Sequence, residues 1–485
     1  MTRPETPSAR VPHAARRRVL RQALIAGAAF VASSGLVACG SESTGPPNVI
    51  LISIDTMRAD YLGCYDPARE ASPEIDALAS AGVVFEDVTS ASPWTLPSHA
   101  SMLTGQYPST HGVKDHGIEL TSATLATHLG DAGYQTMSIV NSHNIGFPDY
   151  GLMRGYDRKR WEFEMNVVDD QPGDDILNKG PIITAMAIEW LNERDKERPF
   201  FFFLHYYDVH TDFTPAVEHA NRFVSPYQGE LTGKTKQLVK ARNRMETIDE
   251  DDVRWLEEMY EAEIHTFDDV IARLFDYLDD EGLAERTVVA ITSDHGEEYA
   301  EHGGLLHGRT HYQEVVGIPF ILRGPGVPAG ARYDMPVHLV DVAPTLYGLA
   351  GVAPPPDLDG IDLTALWRAP DTLPEVRFLF SEADHNNIID DVTQNDIRAM
   401  VRIGNDKLVY DKVTGEKELF DLAADPLEQV NRAAEDPDRL AFLWEKLEEF
   451  MAHGNVRDAA EMSAEARANL DALGYLETSV LEEEE

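Results

Sequence analysis

Between Ser92 and Val113 the chain reads SPWTLPSHASMLTGQYPSTHGV, a Pro-interrupted loop running into a helix that the pattern starts near Pro97. Pro and Ser stand in its opening positions, as helix starts favour. A hydroxyl held there, on Thr95 or Ser98, faces unpaired backbone N–H groups and the positive end of the helix dipole. Such a place suits an anion and an activated oxygen nucleophile. The same two hydroxyls could equally be plain helix caps, so the segment has to be weighed with the rest of the chain. Four more polar residues, Asp55, Asn141, Asp208 and Asp294, each stand at the end of an apolar run.

Those runs are NVILISID (48–55), TMSIVN (136–141), FFFFLHYYD (200–208), TVVAITSD (287–294) and PFILRG (319–324). They are rich in β-branched and aromatic residues, and several are too continuously apolar to leave a face in water. Helical patterns separate them, for example at 251–279 and 340–350. Alternating strands and helices predict an α/β fold, a mostly parallel central sheet with helices on both faces. Ligands of such sheets bind beyond the carboxyl ends of the strands, which is where the four polar residues stand. After Pro354-Pro355-Pro356 the pattern changes. Shorter alternating runs over 375–420, with a Thr-Gly turn at 414–415, predict a small antiparallel sheet, followed by a polar helix at 437–452.

The 92–113 segment resembles the sulfatase signature of the alkaline phosphatase superfamily, in which a Cys or Ser precedes Pro-Ser-Arg and Leu-Thr-Gly, Tyr-Pro and His-Gly follow. The matching residues are Thr95, Pro97, Ser98 and His99, then Leu103-Thr104-Gly105, Tyr107-Pro108 and His111-Gly112. NVILISIDTMRADYLGCY, ITSDHGEEYAEHG, LVDVAPTLYGLAG and DKLVYDKVTGEKELFDLAADPLEQVN resemble further landmarks of that family, in the expected order from about 48 to 435. The resemblance implies an alkaline-phosphatase-like core with a small C-terminal α+β subdomain. It also implies a divalent metal held by Asp55, Asp294 and His295, with Thr95 as nucleophile and fourth ligand. Oxygen ligands with one imidazole suit zinc, manganese or iron better than calcium, and two-metal relatives hold a second ion nearby. By the same resemblance, Asn141, His210 and His307 would stabilise or protonate the reacting ester, and His99, His143 and Asp208 would contact substrate. His302 stands in the same stretch with its role open.

This chain departs from the sulfatase pattern at the nucleophile. Sulfatases oxidise their Cys or Ser to formylglycine, and Thr95 cannot give that aldehyde, because its extra methyl allows at best a ketone. Thr56, His99, Asn141 and His295 stand where sulfatases carry Asp, Arg, Lys and Asn. Thr95, Asn141 and the Asp294-His295 pair instead resemble nucleotide pyrophosphatase, phosphodiesterase and phosphonate hydrolase branches. The expectation is a hydrolase of phosphate or phosphonate esters working through a covalent Thr95 intermediate. The alternatives are a sulfuric ester hydrolase acting without formylglycine, an envelope phospho-alcohol transferase and an inactive lipid-anchored binding protein.

The first 38 residues hold six Arg and one Glu, with Arg16-Arg17-Arg18 ahead of an apolar stretch from Ala23 to Ala38. This is the order of an export signal, and the stretch is shorter than the ~20 residues a permanent span needs. Leu36-Val37-Ala38-Cys39-Gly40 resembles the lipobox of bacterial lipoproteins, in which Cys39 is acylated and begins the mature chain. Cys39 and Cys64 are the only cysteines, so an acylated Cys39 leaves no intrachain disulfide. The formal charge is -43, and removing a basic signal makes the rest more acidic still. Such a surface repels nucleic acid and anionic lipid, yet a bound metal can reverse the sign locally for a small anionic ester. The chain thus divides into an export signal (1–38), a lipidated cysteine and linker (39–47), a catalytic domain (48–368) and a C-terminal subdomain with an acidic tail (369–485). The expected location is the periplasmic side of a bacterial envelope, on the outer membrane because Gly40 rather than Asp follows the cysteine. Cys39→Ser should release the protein from membranes. Unchanged partitioning into detergent would reject the anchor.

Overall fold

The seven-residue run Asn48–Ile54 has no polar face to leave in water, and the structure buries all of it (β1). A computed structural model describes residues 45–161, 179–244, 248–374, 377–389 and 392–452. The export signal, Cys39 and the tail ending in Glu482–Glu485 lie outside the described residues. Around β1 stand β2 (Val83–Phe85), β3 (Gln135–Val140), β4 (Arg158–Trp161), β5 (Phe200–Tyr206), β6 (Thr287–Thr292), β7 (Phe320–Arg323) and β8 (Ala331–Tyr333). They form an eight-stranded sheet in the order β8-β2-β7-β6-β1-β5-β3-β4. β1 pairs in parallel with β5 and β6, and β3 in parallel with β4 and β5. Only β7 runs against its neighbours, β6 and β2.

Alternation along these strands sends side chains to two separate cores. Val49, Leu51, Phe201 and Phe203 pack with Leu96, Ala100 and Leu103 of helix α1 (Thr95–Thr104). Ile50, Ile52, Phe202 and Leu204 pack with Ile183 and Leu191 of α2 (Gly180–Glu193) and with Leu256, Ile264 and Ile271 of α3. α3 (Glu250–Asp280) is long enough to cover that face. It starts at a capping box in which the Asp249 side chain accepts from the Asp251 and Asp252 N–H groups. On the other face α4 (Val342–Ala350) adds Leu346.

The C-terminal sheet is antiparallel throughout, β9 (Phe378–Ile389), β10 (Val392–Ile403), β11 (Asp406–Asp411) and β12 (Lys417–Asp421). Its own small core joins Ala399, Val401, Leu408 and Leu419 to Leu443 and Leu447 of α5 (Pro437–Ala452). It is stitched to the larger sheet's layer rather than set apart from it. The Glu382 N–H donates to the Ala91 carbonyl at 3.0 Å, Arg402 Nη1 donates to Asp87 Oδ1 at 2.7 Å, and Arg377 pairs with Asp341. The described residues from Gly45 onward accordingly group as one unit. A boundary near 368 marks a change of sheet type, not a separation.

The structure also refines the elements read from sequence. α1 begins at Thr95, two residues before the expected start near Pro97, and the 340–350 helix opens as a tight turn at Leu339–Asp341. The short strands β2, β4 and β8 are three or four residues long, too short to show a period. Phe203 is wholly buried in a central strand. Phe203→Ala should therefore lower unfolding free energy by about 3–5 kcal/mol, measured from the shift of the urea midpoint at unchanged slope.

Candidate active site

Ser53 of β1 lies opposite Thr292 of β6 in the parallel register. Two residues further on, Asp55 and Asp294 leave the sheet side by side at its carboxyl edge. Both are wholly buried, and Asp55 Oδ1 and Asp294 Oδ2 have no hydrogen-bond partner. His295 Nε2 stands 3.3 Å from Asp294 Oδ2 and 3.9 Å from Asp55 Oδ1, and the three residues offer ligand atoms within 4.8 Å of one another. Burial raises the Asp55 carboxyl above its ordinary range. Buried carboxylate oxygens without donors, gathered around one imidazole, are what a divalent cation would satisfy. The residues present fit the metal that the sequence implies.

The turn that releases Asp55 is held in an unusual shape. Thr56 has φ 55°, a left-handed conformation costly for a β-branched residue. Its carbonyl accepts from Tyr260 Oη at 2.7 Å, its N–H donates to Asp294 Oδ1 at 3.3 Å and its hydroxyl donates to Val209 O at 3.3 Å. Thr56 therefore braces the turn where sulfatases carry a carboxylate.

Thr95 is the first residue of α1, and Trp94 occupies the capping position without a side-chain capping bond. Neither hydroxyl of the segment caps the helix. The Ser98 hydroxyl is spent on the loop, donating to Ser92 O at 2.7 Å. Thr95 Oγ1 instead faces the carboxylate pair, 3.4 Å from His295 Nε2. Of the two hydroxyls, Thr95 Oγ1 is the one beside His295.

Behind the carboxylates lie groups that the sequence did not single out. His205 Nε2 is 3.2 Å from Asp55 Oδ2. His99, expected to touch substrate, is wholly buried in the same layer. One ring nitrogen is 2.8 Å from Ser53 Oγ, and the other is 2.9 Å from Thr95 O and 3.4 Å from Asp294 Oδ2. Its ring is thus enclosed by the protein and backs Asp294. Burial pulls the His99 and His205 imidazoles down to about 3 and about 4, so both are neutral at ordinary pH. The signal for His205 is one imidazole interrupting the Phe201-Phe203 face of β5 at its carboxyl end.

His210 and His307 meet in front of the pair. Their ring centroids are 5.0 Å apart, and the His307 ring is 4.4 Å from that of His295. His210 Nε2 lies 3.0 Å from Tyr207 Oη, and burial lowers its pKa to about 4. Asn141 is buried just beyond β3, at the same edge of the sheet. The surroundings of His143 and Asp208 are of other kinds. The His143 ring packs among Phe147, Trp161 and Tyr150 at 4.7, 5.6 and 5.8 Å between centroids. Asp208 Oδ1 accepts the Gly180 N–H at 2.7 Å, and a Cβ at Gly180 would come within 2.3 Å of that oxygen. Asp208 thereby anchors the start of α2 with its pKa pushed up to about 7 by burial. His302 is held by Glu314 Oε1 at 2.5 Å and by the Glu428 carbonyl at 3.2 Å. Burial opposes its charge, but the bond to Glu314 and the charges of Glu314 and Glu298, with the Glu428 carbonyl, together outweigh it and raise the pKa to about 9.

With this geometry in hand, comparison with known proteins decides the family. A family model described as Sulfatase matches residues 47–352. The chain belongs to the sulfatase family. It is 25% identical to N-acetylglucosamine-6-O-sulfatase of Bacteroides thetaiotaomicron over 484 residues, spanning 83% of this chain and 86% of that protein. It is 24% identical to an arylsulfatase of Clostridium perfringens over 441 residues, 79% and 90% of the two chains. The crystal structure of phosphonate monoester hydrolase of Agrobacterium radiobacter shares the fold, with a TM-score of 0.67 at 22% identity over 84% of this chain and 95% of that one. As a member of this family the chain is an ester-bond hydrolase, and enzymes of the family are metal-dependent. Asp294→Ala should abolish metal binding and nearly all hydrolysis while the melting transition stays cooperative. Elemental analysis showing full metal occupancy in that variant would reject Asp294 as a ligand.

Proposed function

We propose that this chain hydrolyses phosphate or phosphonate esters, with Thr95 Oγ1 attacking phosphorus. The observation that carries the reading is a hydroxyl, not a Cys or Ser that could be oxidised, standing 3.4 Å from His295 Nε2 beside two carboxylate oxygens with no hydrogen bond. Asp55, Asp294, His295 and Thr95 would hold one divalent ion, zinc, manganese or iron before calcium, which when bound supplies charge neutralisation and eases loss of the hydroxyl proton. Attack forms a bond from Thr95 Oγ1 to phosphorus and breaks the bond from phosphorus to the leaving oxygen, which departs with a proton. Water then attacks the phosphorylated Thr95 and returns the free hydroxyl. For such a transfer the protein's tasks are positioning and stabilising the equatorial oxygens. His210, His307 and Asn141 stand at the edge of the sheet where that can be done.

A sulfuric ester is the second substrate class, favoured by relatives described as N-acetylglucosamine-6-O-sulfatase and arylsulfatase. It requires the same hydroxyl to attack sulfur. We place the enzyme on the bacterial envelope through acylated Cys39, where a small anionic ester can reach it. Thr95→Ala should be inactive, whereas Thr95→Ser should keep partial activity on nitrophenyl phosphate or phosphonate esters. Trapping with a slow phosphoester and peptide mass analysis should find the phosphoryl group on Thr95. An adduct on Ser98 would assign the wrong hydroxyl. Turnover of the matched sulfate ester alone would replace phosphorus by sulfur, and product formation only with an added alcohol acceptor would indicate a transferase.

A further inference from the structure

His307 is delivered to the site by a short hairpin. Glu298–Tyr299 pairs antiparallel with Leu305–Leu306, and Glu298 lies opposite Leu306. One residue outward, the same register sets Glu297 against His307, and Glu297 Oε1 lies 3.0 Å from His307 Nδ1. When Glu297 is ionised it can only accept, and the proton of this bond then sits on Nδ1. The tautomer in which Nε2 carries the lone pair, or a second proton, is thereby selected. Glu297 is wholly buried, and its Oε2 has no hydrogen bond. A carboxylate removed from water at this cost needs a compensating role, and its one side-chain bond in the described structure is to His307.

The backbone around His307 is bent to the same end. Leu306 has φ 67° and Gly308 φ 91°, so the histidine sits between two left-handed residues, one of which carries a side chain. The Gly308 N–H donates to the Pro93 carbonyl at 3.0 Å, tying the segment to the loop that enters Thr95. On the other side, Arg58 Nη1 donates to the Glu297 carbonyl at 2.9 Å, and Arg58 itself is held by Asp60 and Glu301. Both ends of the Glu297–His307 pair are therefore fixed to the framework that carries Asp55 and Thr95.

We propose that Glu297 is the positioning residue for His307, fixing its tautomer and ring plane so that Nε2 meets the ester being cleaved at Thr95. The proposal rests on the Thr95 reading for the identity of the reacting atom, and Glu297 bonds His307 rather than joining the Asp55–Asp294–His295 cluster. The test is a double-mutant cycle on the full, metal-loaded enzyme with nitrophenyl phenylphosphonate. Glu297→Ala should lower kcat by about 10²-fold, the size typical of a misplaced stabilising group, with KM changed by less than about threefold. Glu297→Gln keeps an acceptor oxygen and should lose less than about tenfold. In a His307→Ala background neither substitution should cost anything further, because a residue acting through His307 has nothing left to position. Equal losses in both backgrounds would overturn the proposal. So would an effect carried by KM, or a metal content that falls with the activity. Glu297→Gln guards against a variant that fails to fold. If Thr95→Ala stays active the nucleophile reading fails, while the cycle still reports whether Glu297 acts through His307.

Discussion

Two like charges at the ends of neighbouring strands set the terms for everything around them. Asp55 and Asp294 present buried oxygens with no hydrogen bond, within a cluster whose ligand atoms lie inside 4.8 Å. At that separation and an effective dielectric constant of 20, two ionised carboxylates repel by roughly 4 kcal/mol, a large part of a domain's net stability. The nearest imidazoles cannot cancel this. Burial keeps His99 and His205 neutral, so each can orient a carboxylate by donating a proton without supplying a charge. Arg58 is the cation just behind, and its guanidinium is engaged by the Glu297 carbonyl, Asp60 and Glu301. Neutralisation is thus left to something bound from outside, and the proposed metal position follows from that deficit as much as from family membership.

The part of the site visible in the sequence is the part that obeys the strand-end rule. Asp55 and Asp294 follow predominantly apolar strands, and Thr95 opens a helix after a Pro-interrupted loop, so each carries a local signature. The rule gives a place in the fold but no side-chain direction. Asn141 and Asp208 satisfy it as well as Asp55 does, yet Asp208 turns to the start of α2, and His143, suggested by the resemblance, packs in an aromatic cluster. His205 and Ser53 read as strand filling because nothing in a single sequence marks which residue meets a carboxylate 150 positions away. Glu297 was hidden by its surroundings. In so acidic a chain, one Glu followed by another looks like solvated surface, and only the hairpin register sets it against His307.

The same distinction holds for the fold. The long central strands were legible as continuous apolar runs rich in β-branched and aromatic residues, α3 because it repeats its helical period several times, and the C-terminal sheet because its alternation and Thr-Gly turn are local. The short strands owe their existence to pairing: β2 forms three register pairs with β7 and three with β8. Tertiary context, not propensity, decides such elements. The C-terminal sheet's attachment was likewise invisible, since Arg402–Asp87 and Arg377–Asp341 join residues remote in sequence.

Family membership and the identity of the nucleophile pull in different directions, and the chemistry of the proposed intermediate shows why this matters. An aldehyde hydrate carries two oxygens on one carbon, so an ester formed on one of them can be expelled by the other without water reaching the esterified atom. The Thr95 side chain has a methyl where that second oxygen would stand. An ester on its hydroxyl has to be broken by attack at phosphorus or sulfur, which requires a water aligned opposite Oγ1 and a group to take its proton. A site of this kind has more to gain from a well-oriented imidazole than one that regenerates an aldehyde. His307, clamped between two left-handed residues and bonded to a buried carboxylate, is oriented more tightly than simple charge stabilisation would require. On this argument the fold common to sulfatases and phosphonate hydrolases supplies the metal ligands and the helix start. The Glu297–His307 hairpin supplies what a plain hydroxyl nucleophile needs in addition.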